Sequence, residues 1–206
     1  MDYKCLMKLI GSLTSPFARK VRIFLLEKKI PFEMVIDVPW KEDTKVPAYN
    51  PLGKIPVLIL DDGKPLIDSR VIVQYLEEYK PAPSLIPTKN HIEIKYWEAL
   101  ADGVAEAAAN YYIEKNMRET KLQSEAWQAR QLQKVNRGIK FLSAKLANNL
   151  YCVGNTLSLA DIALVCALGY LSFRLPQIFW QKDFENLKKF YDLLSQRQTF
   201  QETIPH

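Results

Sequence analysis

The segment Met7–Lys29, which reads MKLIGSLTSPFARKVRIFLLEKK, decides the fold that this 206-residue sequence predicts. Its first part, Met7 to Gly11, is a short apolar run that predicts a buried strand followed by a loop. Pro16 then begins a helix, where proline costs nothing because its missing N–H would have no partner in the first turn. Ser15 is the predicted N-cap, and the helix is expected to stop near Ile30-Pro31. The apolar residues of this helix share one stripe: Phe17, Val21, Phe24 and Leu25.

The rest of the first 80 residues continues as strands around this helix. Phe32 to Val38 predicts a second strand, and a strand, a helix and a strand in so short a span form a βαβ unit with a parallel pair. The later elements follow in order: an irregular segment at Pro39–Asn50, strands at Pro56–Leu60 and Lys64–Ile67 joined by an Asp61-Asp62-Gly63 hairpin turn, and a helix from Asp68-Ser69 to Tyr79. The order βαβ-ββα predicts an α/β domain of thioredoxin-like layout with a mixed four-stranded sheet.

Strand signals nearly vanish in the second half of the chain. Prolines 81, 83 and 87 predict a linker over residues 81–90, between a first domain at 7–80 and a second at 91–206. Apolar residues at helical spacing predict that the second domain is an all-α bundle. Its expected helices are His91–Arg118, Ser124–Leu146, Ser158–Phe173 and Phe184–Leu194, the third nearly all apolar and therefore buried.

Composition excludes several classes of function. The net charge of +5 comes from lysines and arginines scattered among acidic residues, which favours a solvated surface over a nucleic-acid site. Cys5, Cys152 and Cys166 form no CxxC pair, and two histidines with no carboxylate cluster argue against a metal. A polar N-terminus and an apolar run only from Ile162 to Leu171 predict neither a signal peptide nor a membrane span. We expect a cytoplasmic protein.

Three features of the first half bear on chemistry. Ser12–Phe17 is a hydroxyl-rich loop at a helix N-terminus, which favours a bound anion. Taken alone, the loop is also explained if Ser15 only caps the helix. Pro56 is the first residue of a predicted strand. A cis Ile55–Pro56 bond there would leave the Ile55 backbone accessible, and a trans bond is the alternative. Asp68-Ser69 opens a helix and would hold an ammonium and a carboxylate of one zwitterion, or simply cap the helix.

The chain resembles the cytosolic glutathione S-transferases along nearly its whole length. Met7–Lys29 looks like the first strand and helix of that family with a serine-type Ser-Pro-Phe active-site loop. Asn50–Val57 (NPLGKIPV) looks like its cis-proline loop, and Asp68–Leu76 (DSRVIVQYL) is similar to its Glu/Asp-Ser helix start. Ser158-Leu159-Ala160-Asp161 matches its capping box before the buried helix.

The resemblance implies a glutathione site and its residues. The γ-glutamyl group of glutathione, as co-substrate, would sit on Asp68 and Ser69, and its cysteinyl backbone would pair with Ile55 before Pro56. Ser15 would donate a hydrogen bond to the thiolate, with Thr14 as the alternative. Lys41, or Trp40, is a candidate for the glycyl carboxylate.

The resemblance also implies conjugation of glutathione to a small hydrophobic electrophile in detoxification, or peroxide reduction by the same thiolate. A serine cannot form the mixed disulfide on which cysteine-type relatives depend, and the three cysteines are expected to be spectators. Candidate walls for the electrophile are Leu13, Tyr111, Tyr112 and Phe173, for each of which core packing is equally expected. The family implies a homodimer whose interface includes Arg70, Gln74 and Trp97. The alternatives are a non-catalytic interaction module of the same fold, or an isomerase or dehalogenase that uses glutathione.

Overall fold

The computed structural model describes residues 6–206, so Cys5 lies outside the described residues. The chain divides into two compact units. The first ends at Leu85 and also contains Thr199–His206, and the second is Ile86–Gln198. Across residues 6–206, no helix combines the length and the apolar character needed to cross a membrane.

A four-stranded mixed sheet forms the centre of the first unit, as the sequence predicts. Its strands are β1 (Met7–Gly11), β2 (Phe32–Ile36), β3 (Val57–Ile59) and β4 (Pro65–Ile67), in the spatial order β2-β1-β3-β4. β1 pairs parallel with β2 and antiparallel with β3, and β4 pairs antiparallel with β3. Two helices accompany the sheet, α1 (Pro16–Glu27) and α2 (Ser69–Tyr79). The thioredoxin-like fold class is confirmed.

Helix α1 packs closely on β1 because of one glycine. A Cβ added at Gly11 would lie 2.9 Å from the Ala18 Cβ, closer than two such atoms approach, so a larger residue there would push helix and strand apart. The strand β2 ends at Ile36 rather than at the predicted Val38. The Asp37 N–H still donates to the Gly11 carbonyl, 3.0 Å away, but the Asp37 carboxylate accepts from the Thr44 hydroxyl and the Lys45 N–H and turns the chain away from the sheet.

The boundary of the first unit lies beyond Lys80 because Lys28 holds the linker. This lysine is the C-cap of α1 and is fully buried, and its ammonium donates to the carbonyls of Lys80 (2.7 Å) and Pro83 (2.8 Å) and pairs with Glu77 (2.6 Å). Three oxygen partners satisfy the three donors of an ammonium group, which is the condition for burying it. Residues 81–85 are thereby tied to the first unit.

The last eight residues return to the first unit, whereas the sequence predicts them within the helical domain. They include most of a short helix, α8 (Gln198–Gln201), and bury Phe200 and Thr203 completely. The guanidinium of Arg19, itself 1% exposed, donates to the Phe200 carbonyl (3.2 Å) and the Thr203 hydroxyl (3.4 Å). We call Thr199–His206 the C-terminal clasp of α1.

The second unit is a helical bundle. Its helices are α3 (His91–Asn116), α4 (Glu125–Leu146), α5 (Leu159–Arg174), α6 (Trp180–Asp183) and α7 (Glu185–Ser195). Every residue of α5 from Leu159 to Leu171 is buried, which confirms the prediction made from its apolar sequence. The predicted capping box is present, with the Ser158 N–H and hydroxyl both donating to Asp161 at 2.7 and 2.8 Å.

The structure corrects one prediction about the surface of this unit. Trp97 is 1% exposed and belongs to the bundle core, so the expectation that its side chain contacts a dimer partner is wrong. An aromatic residue at helical spacing fits a core and an interface equally from sequence, and here it packs inside its own unit. Tyr111 is buried as well, while Tyr112 is half-buried and Phe173 exposed.

Candidate functional site

Four segments leave the sheet of the first unit at the same end. Ile10 of β1 pairs with Val57 of β3, which pairs with Ile67 of β4. Just beyond this row β1 runs into the Ser12–Ser15 loop, β3 is preceded by Ile55-Pro56, and β4 runs into Asp68-Ser69. The end of β2 joins the row from the other side, since Ile36 pairs with Gly11. We call this the site end of the sheet.

Ser15 is the N-cap of α1, as predicted. Its backbone is extended (φ −72°, ψ 124°) and its Oγ accepts from the Ala18 N–H at 3.2 Å. The Ser15 side chain is half-buried, and because the oxygen serves as an acceptor, the hydroxyl proton is left to donate elsewhere. Thr14, the alternative, precedes this N-cap, and its Oγ1 lies 3.3 Å from the Ser12 Oγ.

The Ile55–Pro56 bond is cis, as the proline loop predicts. The Ile55 side chain packs against a buried cluster of Ile10, Val46 and Val57 under the site end. Among the described residues, the Ile55 backbone makes no hydrogen bond. The side chain therefore anchors the segment while one N–H and one C=O remain unpaired at the site end, and unpaired main-chain groups of this kind are ready to pair with an extended peptide.

Asn50 organises this loop, and sequence reasoning gave it no role. It is buried, its Nδ2 donates to the Lys54 carbonyl at 2.7 Å, and its Oδ1 accepts from the Leu52 N–H at 3.0 Å. The two bonds close the turn that contains Gly53, which has φ +61°. An Asn-Pro followed by a Gly was the available signal, because asparagine side chains commonly hold such turns.

Asp68 and Ser69 begin α2 at the site end. The exposed Asp68 is the N-cap, and its Oδ1 accepts from the Arg70 N–H at 2.8 Å. Its backbone has φ 67° and ψ 121°, a conformation that non-glycine residues rarely adopt and that clusters at binding sites. Ser69 is the buried first residue of the helix. A carboxylate, a hydroxyl and a helix N-terminus thus lie side by side.

Lys41 lies in the segment that follows β2. Its N–H donates to the Val38 carbonyl at 3.0 Å and the residue is exposed. In the described part of the chain its ammonium has no carboxylate partner. Neighbouring Trp40 is exposed too. Lys41 is therefore available to an anion near the β2 side of the site end.

The site end is suited to a ligand that carries both charges. Helices α1 and α2 both begin there, and each helix N-terminus favours negative charge through its unpaired N–H groups and its dipole. Asp68 supplies the one carboxylate that an ammonium group would need. Within residues 6–206 no group of three or more His, Cys, Asp or Glu side chains has an arrangement that would hold a metal ion.

Comparison with known protein families matches both halves of the chain. The model described as "Glutathione S-transferase, N-terminal domain" matches residues 14–79. The model described as "Glutathione S-transferase, C-terminal domain" matches residues 125–193. Together the two matches cover more than half of the chain and include Ser15, Ile55 and Asp68.

Individual proteins are similar along almost the full length. The "Uncharacterized GST-like protein YibF" of Escherichia coli K12 is 39% identical, with 97% of this chain and 98% of that protein covered. The crystal structure of a glutathione S-transferase from Methylobacillus flagellatus with glutathione bound is 44% identical, with a TM-score of 0.93, and covers 97% of this chain and 100% of that one. A second, from Methylobacterium radiotolerans in complex with glutathione sulfonate, is 38% identical with a TM-score of 0.93 and covers 97% and 95%. The chain belongs to the glutathione S-transferase family.

Proposed function

We propose that this chain is a glutathione transferase, which binds glutathione at the site end of the sheet and activates it as a thiolate for attack on a small hydrophobic electrophile. One observation carries the proposal. The segments that contain Ser15, Ile55 and Asp68-Ser69 adjoin the same row of paired strand residues, Ile10–Val57–Ile67, at the site end of the sheet. The related structures with bound glutathione and glutathione sulfonate support the same ligand.

The dimensions of the site end suit a tripeptide. Neighbouring strands lie about 4.8 Å apart, so β1 and β4 are separated by about 10 Å. Three extended residues also span about 10 Å. In this proposal the γ-glutamyl ammonium pairs with Asp68, its carboxylate with the Ser69 hydroxyl and N–H, and the cysteinyl backbone with Ile55. Lys41 takes the glycyl carboxylate.

Ser15 stabilises the thiolate in this arrangement. The Ala18 N–H occupies one lone pair of the Ser15 oxygen, so the hydroxyl is oriented with its proton available to sulfur. A hydrogen bond to a charged group is worth about 1.5–3 kcal/mol, which lowers a thiol pKa by about 1–2 units. The N-terminus of α1 adds to that effect. The Thr14 hydroxyl contacts Ser12 instead of a helix N–H, which favours Ser15 over it.

The thiolate then acts as the nucleophile. It attacks the electrophilic carbon, a carbon–sulfur bond forms, and the leaving group departs with the electron pair of the broken bond. Peroxide reduction by the same thiolate is the other reaction that this site would support. The Cys152 thiol suits neither reaction, because burial and the nearby Asp161 raise its pKa well above the ordinary value and hold it protonated.

Binding and turnover test the proposal separately. We expect the chain to be retained on immobilised glutathione and to conjugate glutathione to an activated aryl chloride. The Ser15→Ala variant should still be retained but lose most turnover. Retention without turnover of any electrophile or peroxide would favour a glutathione-binding interaction module instead. A wild-type chain that shows neither retention on immobilised glutathione nor turnover would contradict the proposal.

The proposal extends to assembly and compartment. We place the enzyme in the cytoplasm as a two-fold homodimer that serves detoxification, with Arg70 and Gln74 of α2 at the contact. Both follow the start of α2, so that the same helix would serve the site and the interface. Sedimentation of the wild-type chain tests the dimer, and a monomer at micromolar concentration would contradict it.

A further inference from the structure

A cluster of aromatic rings surrounds one arginine in the helical unit. Arg174 is the last residue of α5, and its guanidinium lies 4.4 Å from the ring centre of Tyr112 on α3 and 4.5 Å from that of Phe173. Its Nη1 donates to the Tyr112 hydroxyl at 2.9 Å. Tyr170 lies one turn earlier on α5, on the same helix face as Arg174. Two helices and two rings, those of Tyr112 and Phe173, therefore fix where the cation lies.

The charge of Arg174 is not neutralised by a neighbour. In the structure from Leu6 onward it has no carboxylate partner, whereas Arg118 of the same unit pairs with Glu114 at 2.9 Å and Lys145 pairs with Glu93 at 2.6 Å. The aromatic faces and the C-terminal end of α5 favour a positive charge, but neither cancels it. Arg174 is half-buried, so an anion from solution has access to it.

Two tyrosines next to this charge keep their phenol protons. The Tyr112 oxygen accepts from Arg174, so its own proton remains to donate, and no described residue accepts it. Tyr170 is 6% exposed, and burial raises its pKa to about 12, so that it stays protonated at any physiological pH. The Arg174 guanidinium and the Tyr112 phenol proton converge on one place, and the Tyr170 phenol belongs to the residue one turn before Arg174 on α5.

We propose that Tyr112 and Arg174, next to Tyr170, bind the carboxylate of a small organic acid. The planar guanidinium fork matches a carboxylate, and neutral phenol donors suit a monoanion better than a doubly charged phosphate. Phe173 is 37% exposed and offers a ring face for an apolar or aromatic body attached to that carboxylate. The claim that the acid binds here is independent of the proposed function. The claim that the acid is also the electrophile rests on the proposed function.

A matched pair of aryl chlorides tests the site. 4-Chloro-3-nitrobenzoate and 4-chloro-3-nitrobenzamide both react with glutathione by loss of chloride, and they differ only in the acidic group. We expect calorimetry without glutathione to show tighter binding of the benzoate. Arg174→Gln should weaken benzoate binding about tenfold, as the loss of one charge-assisted pair predicts, and leave the benzamide unchanged. Tyr112→Phe should weaken the benzoate alone by a smaller factor.

The control variant is Arg137→Gln, which removes an exposed arginine from α4 of the same unit. It should change neither ligand's affinity. Equal binding of benzoate and benzamide by the wild-type chain, or equal losses in Arg174→Gln and Arg137→Gln, would overturn the carboxylate site. Retention on immobilised glutathione reports on the proposed function independently. Retention without benzoate preference therefore contradicts only this inference, and benzoate preference without retention contradicts only the proposed function.

Discussion

Ser15 illustrates how one side chain serves structure and chemistry together. Its oxygen accepts from the Ala18 N–H and caps α1, and its proton is the proposed donor to sulfur. Ser124 caps α4 in the same way, with its Oγ 3.2 Å from the Trp127 N–H. The two serines share a local structure but differ in position, since only Ser15 lies at the site end of the sheet. Comparing them separates capping from catalysis.

Replacing either serine with alanine should cost the same stability. We expect Ser15→Ala and Ser124→Ala each to lower the free energy of unfolding by about 1 kcal/mol, because each leaves one helix N–H without its cap. Urea denaturation measures both losses. Only Ser15→Ala should reduce conjugation. A loss of turnover in Ser124→Ala as large as that in Ser15→Ala would show that the effect comes from stability.

Asp68 should matter through its charge. Asp68→Asn keeps the oxygen that accepts from the Arg70 N–H, so we expect the free energy of unfolding to change by less than about 0.5 kcal/mol. Affinity for glutathione should fall about tenfold, since the ammonium loses its partner. Calorimetry measures the affinity. Asp62→Asn, in an exposed turn where Asp62 pairs with Lys64, is the control and should leave it unchanged.

The sequence predicts some of the site residues well and others not at all. Ser15 and Asp68 were predicted because short polar side chains before an apolar helix have one common use, the N-cap. Asn50 was not, although the Asn-Pro before a Gly was a local signal for it. Arg19 was not, because its partners lie about 180 positions away. The sequence offers no local signal for an arginine that binds the C-terminal clasp.

At the scale of elements, the C-terminal clasp supports the helix that carries Ser15. Hydrogen bonds join it to α1: Arg19 donates to Phe200 and Thr203, Arg22 donates to the Glu202 carbonyl at 3.1 Å, and the Thr199 hydroxyl bonds to Glu27. Phe200 of the clasp is fully buried. The clasp thus ties down α1 along its length.

Phe200→Ala should therefore destabilise the first unit strongly. Truncation of a buried phenylalanine costs about 3–5 kcal/mol, because apolar contacts are lost and a cavity remains. Ile204→Ala, in the same segment but 49% exposed, should cost less than about 0.5 kcal/mol. Guanidinium denaturation of both variants checks this. Equal midpoints would mean that the clasp contributes little to α1.

Helix boundaries were predictable and strand boundaries were less so. α1, α4 and α5 begin within one residue of the predicted positions because Ser15, Ser124 and Ser158 mark them. β2 ends two residues early because Asp37 binds Thr44 and Lys45, which are distant in sequence from the strand pattern. The short helices α6 and α8 have too few residues for a periodic signal.

At the scale of the whole molecule, stability at high pH depends on the buried phenol of Tyr170. Burial raises its pKa to about 12 from an ordinary value near 10. Between these two values the unfolded chain releases the proton and the folded chain keeps it, so the free energy of unfolding falls as pH rises. We expect a loss of about 1 kcal/mol between pH 9 and pH 11 from this group.

The Tyr170→Phe variant should lack that loss. Denaturation at the two pH values gives the difference for each protein, and Tyr49→Phe, which removes an exposed tyrosine, serves as the control. If Tyr170→Phe loses as much stability as the wild-type chain over this range, the phenol does not titrate as its burial requires.

The two-unit organisation follows from sequence only in outline. The change from strand signals to helical spacing near the prolines marks where the sheet ends. The tie from Lys28 to the linker and the return of the last residues to α1 are tertiary contacts that no local pattern predicts. Assembly of the site is also a property of topology, since four segments far apart in sequence meet only because their strands are neighbours.

The most direct test of the central claim is the pKa of the glutathione thiol when it is bound to this chain. Ultraviolet absorbance of the thiolate, followed against pH for wild type and Ser15→Ala at saturating glutathione, gives that value. We predict a pKa about 1–2 units below the free thiol value of about 8.5 in the wild-type complex, and a return to within about half a unit of it in Ser15→Ala. An unshifted pKa in the wild-type complex, or the same depression in both proteins, would contradict the account.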